Sequence, residues 1–417
     1  AIKAKHKTRN GINVLFLMTD EQHHRSLSLT GNPYVETPHM DRIGREGVVF
    51  TNATCVTPYC SPSRASLING LYPHTHDILK NVSPRAGQDA LKQDAFPNTE
   101  SMLNRRGYAT AHRGKWHLGN IGDFDCYQSW AYASKSGPGY RQMLEAKLPA
   151  EQYKDHPSPG KYHGRPVEML PVVEAGFHKF HAIPNMRVAY ISIIGRSLIP
   201  PELLPETQIT NQILDLLEQN ADKNFMITAS WSPPHDLWVM PEPYYSLVDR
   251  DKIELPGSFD MPEWDRHGPS KRLGDIMGRE GLREYAAIYH GMVKYIDDEV
   301  GRVLAKLDEL GLAENTLVIC TSDHGDMVGA HGCIGKSIFS FYDDLVRIPL
   351  LMRLPGRIPV GSLVSNPVSQ IDVMPTILDY VGLELPQKIH GASLQPLING
   401  EEIGWRDYAF CQRANAG

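Results

Sequence analysis

Residues 12–24 read INVLFLMTDEQHH. An apolar run, broken only by Asn13, passes at once into threonine, two acids, glutamine and two histidines. A strand with one solvated face would alternate polar and apolar residues, whereas a strand covered on both faces need not. The run therefore reads as a buried parallel strand whose carboxyl end delivers Asp20. The same grammar recurs twice. FMITASW (225–231) is followed by SPPHD with His235, and TLVICTS (316–322) by DHGD with Asp323 and His324. In open α/β sheets, ligands lie beyond the carboxyl ends of the strands. The pattern predicts an α/β fold: a large mixed, mainly parallel sheet flanked by helices on both faces. Strands 13–18, 225–230 and 316–321 should be central, with the chemistry gathered along one sheet edge.

Between these strands, Ile288, Met292, Ile296, Val300, Val303, Leu307 and Leu310 recur at spacings of three and four. That is one helical face, with Gly311 as its stop. Residues 100–119, ESMLNRRGYATAHRGKWHLG, read as a helix ended by Gly107, a short strand, and a loop carrying Lys115 and His117. Residues 131–206 show weak periodicity and read as loops and insertions at the site mouth, with Tyr132, Tyr140, Tyr153 and Tyr162 among them.

Lysine and arginine number 42 against 48 aspartates and glutamates, a net charge of −6 over 417 residues. This argues against nucleic acid as a partner, and an anionic substrate must then be held by local cations. Six cysteines without a CxxC pair fit neither a disulfide scaffold nor a zinc ribbon. No apolar run approaches the roughly 20 residues of a membrane span. The polar, basic start AIKAKHKTRN has no signal-peptide core; it reads as a mature, exported chain or a cytoplasmic one.

Residues 57–70, TPYCSPSRASLING, hold Cys60. Pro62 suits a first helical turn, residues 63–69 the helix, and Gly70 its stop. Cys60 then sits just before a helix N-terminus, where an anion is favoured, and Arg64 can reach back to it. A nucleophile in an anion site is one reading. A buried structural thiol and a Cys55–Cys60 disulfide are the others.

CSPSRASLING resembles the signature of the type I sulfatases of the alkaline phosphatase superfamily: Cys-x-Pro-Ser-Arg, then an aliphatic residue and a glycine. Ile68 stands where leucine is more usual. Further blocks are similar in order and type: MTDEQ through Asp20, GKWHLG through Lys115 and His117, SPPHDLW through His235, and TSDHGDMVGAHGCIGK through Asp323, His324 and Lys336. The resemblance spans about residues 12–400.

The resemblance implies that a maturation enzyme converts Cys60 to formylglycine, and that the chain hydrolyses a sulfate ester. It implies a divalent cation, Ca²⁺ ahead of Mn²⁺ or Zn²⁺, held by Asp20, Asp323, His324 and residue 60. The longer Glu21 stays outside that set. It further implies Lys115 and Lys336 on sulfate oxygens, Arg64 at the nucleophile, His235 as the acid for the leaving alcohol and His117 as the base. His23, His24, Arg25, His74, His76, Arg113 and His331 become subsite candidates. A sulfated carbohydrate and an exported enzyme are expected. On the same fold the alternatives are a phosphonate monoester or phosphodiester hydrolase and a choline sulfatase, the latter caging its ammonium with Trp231 and Trp238. From another class, the alternative is an unmatured carbohydrate-binding protein. Residues 1–385 are expected to form the catalytic domain, and 386–417 the cut-short start of a small antiparallel C-terminal subdomain.

Overall fold

The run at the start of the chain is strand β1 (Asn13–Asp20), with all eight residues buried. The computed structural model describes residues 11–82, 91, 95–96, 98–119, 125–128, 143–144, 146–149, 167–181, 193–260, 269–336, 340–401 and 404–412. Seven further strands join β1 in one sheet: β2 (Val48–Phe50), β3 (Ala109–Gly114), β4 (Asp125–Gln128), β5 (Phe225–Pro234), β6 (Thr316–Ser322), β7 (Leu350–Arg353) and β8 (Ser362–Val364). Their order is β8-β2-β7-β6-β1-β5-β3-β4. Every neighbouring pair is parallel except the two made by β7, which pairs antiparallel with β6 and β2. The sheet is thus mixed and mainly parallel, with the three strands expected to be central lying side by side.

Why β1 need not alternate follows from what covers it. Successive side chains of a strand point to opposite faces. Leu15 and Leu17 enter one core, while Val14, Phe16 and Met18 enter another. The first core holds helices α1 (Pro38–Arg45), α4 (Pro205–Gln219) and α5 (Pro269–Glu309), through Met40, Ile213 and the α5 face Ile288, Met292, Ile296, Val300, Val303 and Leu307. The second holds α2 (Cys60–Asn69), α3 (Thr99–Arg105) and α6 (Val373–Tyr380), through Leu67, Leu103, Met374 and Ile377.

Two expectations are corrected. The 131–206 stretch is not loop throughout: a helix covers Pro171–His181, and strand Ile194–Ser197 pairs with Val167–Glu168 and Trp238–Met240 in a small second sheet. Val173 and Ile194 belong to the first core. Tyr132, Tyr140, Tyr153 and Tyr162 lie outside the described residues. Cys60 is the first residue of α2 rather than the residue before it, and Gly70 closes that helix in the left-handed conformation, φ 69°. Among the described residues after Tyr380 no strand forms. Leu394, Leu397 and Ile398 pack into the same core as α6, and Arg406 pairs with buried Asp372.

Leu17, fully buried at the centre of the sheet, sets a stability test. Leu17→Ala should lower unfolding free energy by about 3 kcal/mol, as deletion of buried methyls does. Leu363→Ala, on the exposed edge strand β8, should change it by less than about 0.5 kcal/mol. Urea denaturation of both variants checks this.

Candidate active site

Parallel neighbours deliver their carboxyl ends to one edge. Asp20 ends β1, Asp323 and His324 follow β6, His235 and Asp236 follow β5, and Lys115 and His117 follow β3. Helix α2 brings Cys60 and Arg64 to the same edge. One ligand atom from each of Asp20, Cys60, Asp323 and His324 lies within 4.8 Å of all the others, and all four residues are buried. Cys60 Sγ is 3.3 Å from His324 Nε2 and 3.3 Å from Lys336 Nζ.

Buried like charges need partners. Arg64 supplies them as a fork: Nε donates to Asp323 Oδ2 at 2.8 Å and Nη2 to Asp20 Oδ2 at 2.9 Å. Its Nη1 donates to the Lys115 carbonyl (2.7 Å) and to Ser230 Oγ (2.9 Å), tying the ends of β3 and β5 together. Gly114 makes that junction close: φ is 103°, and a Cβ there would stand 1.9 Å from the Ser230 carbonyl oxygen. Lys115 pairs with Asp20, and Lys336 with Glu21.

The electrostatics follow. Burial works against the charge on Asp20, but Lys115, His235 and Arg64 outweigh it and hold the carboxyl well below its usual range. Burial and the neighbouring Asp20 push the Asp323 carboxyl up. His324 is raised to about 9 against the effect of burial, because Asp323 and Cys60 favour its charge. Burial opposes the Cys60 thiolate, yet Lys115 and Lys336 bring the thiol well below its ordinary value. His117 is lowered to about 4, mainly by burial, despite its bond to Cys60. His235 moves the other way: burial disfavours its charge, but Asp236 and Glu21 raise it well above the ordinary imidazole value. His235 Nδ1 lies 2.7 Å from Asp236 Oδ1, and Nε2 lies 3.1 Å from Lys336 Nζ.

Two carboxylates, of which Asp323 is destabilised by burial and by Asp20, an imidazole and residue 60, all buried together, are a donor set suited to a hard or borderline divalent cation. Glu21 is not in that cluster. Its carboxylate faces His235 and Lys336 and forms a separate close group with Asp20 and His235.

The rest of the expected constellation divides. His23, just after β1, pairs with Asp344 at 3.0 Å, and His331, in the short 3-10 helix Ala330–Gly332, stacks on Tyr342 with centroids 4.1 Å apart. His76 is buried beneath α2 and bonds Ser66 Oγ at 2.9 Å, which makes it a packing residue and not a subsite one. His74 lies against Gln412 and Tyr72. Trp231 and Trp238 are wholly buried, with indole N–H groups on Thr210 and the Pro234 carbonyl, so these two cannot cage an ammonium. The Cys55–Cys60 disulfide does not form: both thiols are free, and Cys55 Sγ points to the Leu345 carbonyl. Sequence reasoning missed Asp236, Ser230 and the orientation of Glu21. Asp236 carried a signal, as the acid next to His235; Ser230 carried none.

A family model described as Sulfatase matches residues 12–383. The chain belongs to the sulfatase family. As such it is a sulfuric ester hydrolase. It is similar to an N-acetylglucosamine-6-O-sulfatase of Bacteroides thetaiotaomicron, at 27% identity over 95% of this chain and 73% of that protein. An arylsulfatase of Clostridium perfringens is likewise 27% identical, over 95% of this chain and 80% of its own length. Among solved structures, a phosphonate monoester hydrolase from Silicibacter pomeroyi superposes with a TM-score of 0.76 at 26% identity, covering 96% of this sulfatase-family chain and 79% of that one.

Arg64 is the interaction to remove. Arg64→Ala leaves two buried carboxylates facing each other and should cost about 3–5 kcal/mol of stability in chelator-treated protein. Arg64→Lys, which cannot make the fork, should cost less but still measurably. Chemical denaturation with chelator present reads both.

Proposed function

We propose that this chain hydrolyses a sulfate ester on a sulfated carbohydrate, using residue 60 matured from cysteine to formylglycine and one divalent cation, Ca²⁺ first. The observation that carries this reading is the convergence of Asp20, Cys60, Asp323 and His324 within 4.8 Å, with Lys336 against the Cys60 sulfur. Cys60 Sγ stands in for the oxygens of the matured side chain. Asp20, Asp323, His324 and residue 60 would hold the cation. When present, the formylglycine hydrate supplies the oxygen nucleophile, and the cation supplies positive charge for that oxygen and for the sulfate.

The chain's own residues divide the remaining work. Lys115 and Lys336 offer compact charges to the sulfate oxygens. Arg64 braces the two carboxylates that carry the cation. His235, kept protonated by Asp236 and Glu21, donates its proton to the departing alcohol oxygen. His117 is neutral near pH 7, because burial lowers it to about 4, and it accepts a proton from residue 60. The maturation enzyme must meet Cys60 to Arg64 before the chain folds, since the folded protein buries all five residues.

The carbohydrate part rests on the N-acetylglucosamine-6-O-sulfatase relative and on His23, His331 and Tyr342 beside the site. Export follows from that substrate class, because polymeric sulfated glycans are extracellular. A second reading, phosphonate monoester hydrolysis, is favoured by the name of the Silicibacter pomeroyi structure.

Cys60→Ala should abolish turnover, and the mature peptide should be lighter by the exchange of sulfur for oxygen and the loss of two hydrogens. Undiminished turnover by the alanine variant would refute the covalent route. A screen of sulfated mono- and oligosaccharides against choline sulfate, aryl sulfates and an aryl phosphonate monoester ranks the substrates; a sulfated sugar should lead. The pH profile has a defined sign. Because the folded enzyme raises His235, its acid form survives to high pH and activity falls as pH rises through that value. Asp236→Asn removes the larger favourable charge, so the alkaline limb should move to lower pH.

A further inference from the structure

Glu21 occupies a position that the donor cluster leaves out. Its amide donates to Asp323 Oδ1 at 3.3 Å, while its carboxylate lies outside the four-residue cluster, within 4.8 Å of an Asp20 oxygen and a His235 nitrogen. The residue sits in the left-handed region, φ 62°, where a side chain other than glycine is uncommon. Tyr289 Oη holds it there, donating to the Glu21 carbonyl at 2.8 Å and accepting from the His23 amide at 2.7 Å. This backbone turn swings the carboxylate away from Asp323 and across the site. Glu21 Oε1 meets Lys336 Nζ and lies 3.4 Å from His235 Nε2. Lys336 Nζ and His235 Nε2 are 3.1 Å apart, and Lys336 Nζ is also 3.3 Å from Cys60 Sγ.

A cationic ammonium and an imidazole that must carry a proton repel at that separation. A single carboxylate oxygen touching both removes the repulsion and fixes their spacing.

We propose that Glu21 is a positioning residue rather than a cation ligand: it pins Lys336 and His235 together over residue 60 and leaves the cation to the other four groups. This rests on the sulfatase reading above. Glu21 works through His235, so its loss should tell most where protonation of the leaving oxygen matters most.

The test uses full-length matured protein with Glu21→Gln, Glu21→Asp and Asp323→Asn. Calorimetric titration of chelator-stripped protein with Ca²⁺ comes first. Glu21→Gln should bind one Ca²⁺ within about threefold of the wild-type affinity, whereas Asp323→Asn, losing a charged ligand, should lose at least tenfold. Steady-state kinetics on aryl sulfates with leaving phenols of graded acidity come second. Glu21→Gln should lower kcat about 100-fold for the least acidic phenols and only a few-fold for the most acidic, the pattern of a misplaced general acid. Glu21→Asp should show the same leaving-group dependence, since charge without reach does not restore the contact. A tenfold or greater loss of Ca²⁺ affinity in Glu21→Gln overturns the proposal, and so does a uniform fall in kcat across all phenols. If the wild-type protein turned over no sulfate ester, the sulfatase reading would fail, and the calcium titration would still decide whether Glu21 is a ligand.

Discussion

Asp20 and Asp323 are buried carboxylates within 4.8 Å of each other. Two like charges at about 4 Å repel by roughly 4 kcal/mol even at an effective dielectric of 20. Everything at this sheet edge is arranged around that repulsion. Arg64 forks between the two, and Lys115 sits on Asp20. Even so, burial and Asp20 leave the Asp323 carboxyl raised. That residual instability is what a divalent cation would relieve, so folding strain and ligand affinity have one source here.

The sheet makes this arrangement achievable. Carboxylates from β1 and β6, a histidine from β5 and a lysine from β3 meet because the four strands are adjacent and parallel. An antiparallel neighbour would send its end to the opposite edge. The one strand that does run against the rest, β7, lies outside this group of four. Two cores, one on each sheet face, hold the strands in register. Apolar packing therefore determines the placement, and charge determines the chemistry.

Much of this was legible because the physical signal is local. A strand buried on both faces leaves a mainly apolar run without strict alternation, and β1, β5 and β6 all carry one. The α5 face shows as a three-and-four spacing, and Gly70 as a helix stop. Residues whose role depends on contacts across the chain left no such trace. Ser230 is an ordinary strand residue until β3 brings the Lys115 carbonyl to its hydroxyl at 2.8 Å. His76 and Trp238 looked available because sequence proximity to a motif says nothing of depth; packing put both inside. Glu21 was read as out of the metal set from side-chain length alone. The left-handed turn that aims it at Lys336 comes from Tyr289, 268 residues away.

The charge balance of the site narrows what it can hold. Four carboxylates, Asp20, Glu21, Asp236 and Asp323, face three fixed cations, Arg64, Lys115 and Lys336, and the raised imidazole of His235. With His235 protonated and the acids ionised, these groups cancel, and the raised imidazole of His324 is offset by the lowered thiol of Cys60. A divalent cation adds two positive charges. A sulfate monoester, carrying one negative charge, would return one of them, and with residue 60 matured as proposed an anionic oxygen there would return the other. A phosphonate monoester is also a monoanion and would fit the same balance. A phosphate monoester, close to a dianion at neutral pH, would leave an excess negative charge where water is largely excluded, and such an excess is expensive in proportion to the depth of burial. Discrimination between sulfate and phosphonate must then come from the groups around the rim, beyond the balanced centre.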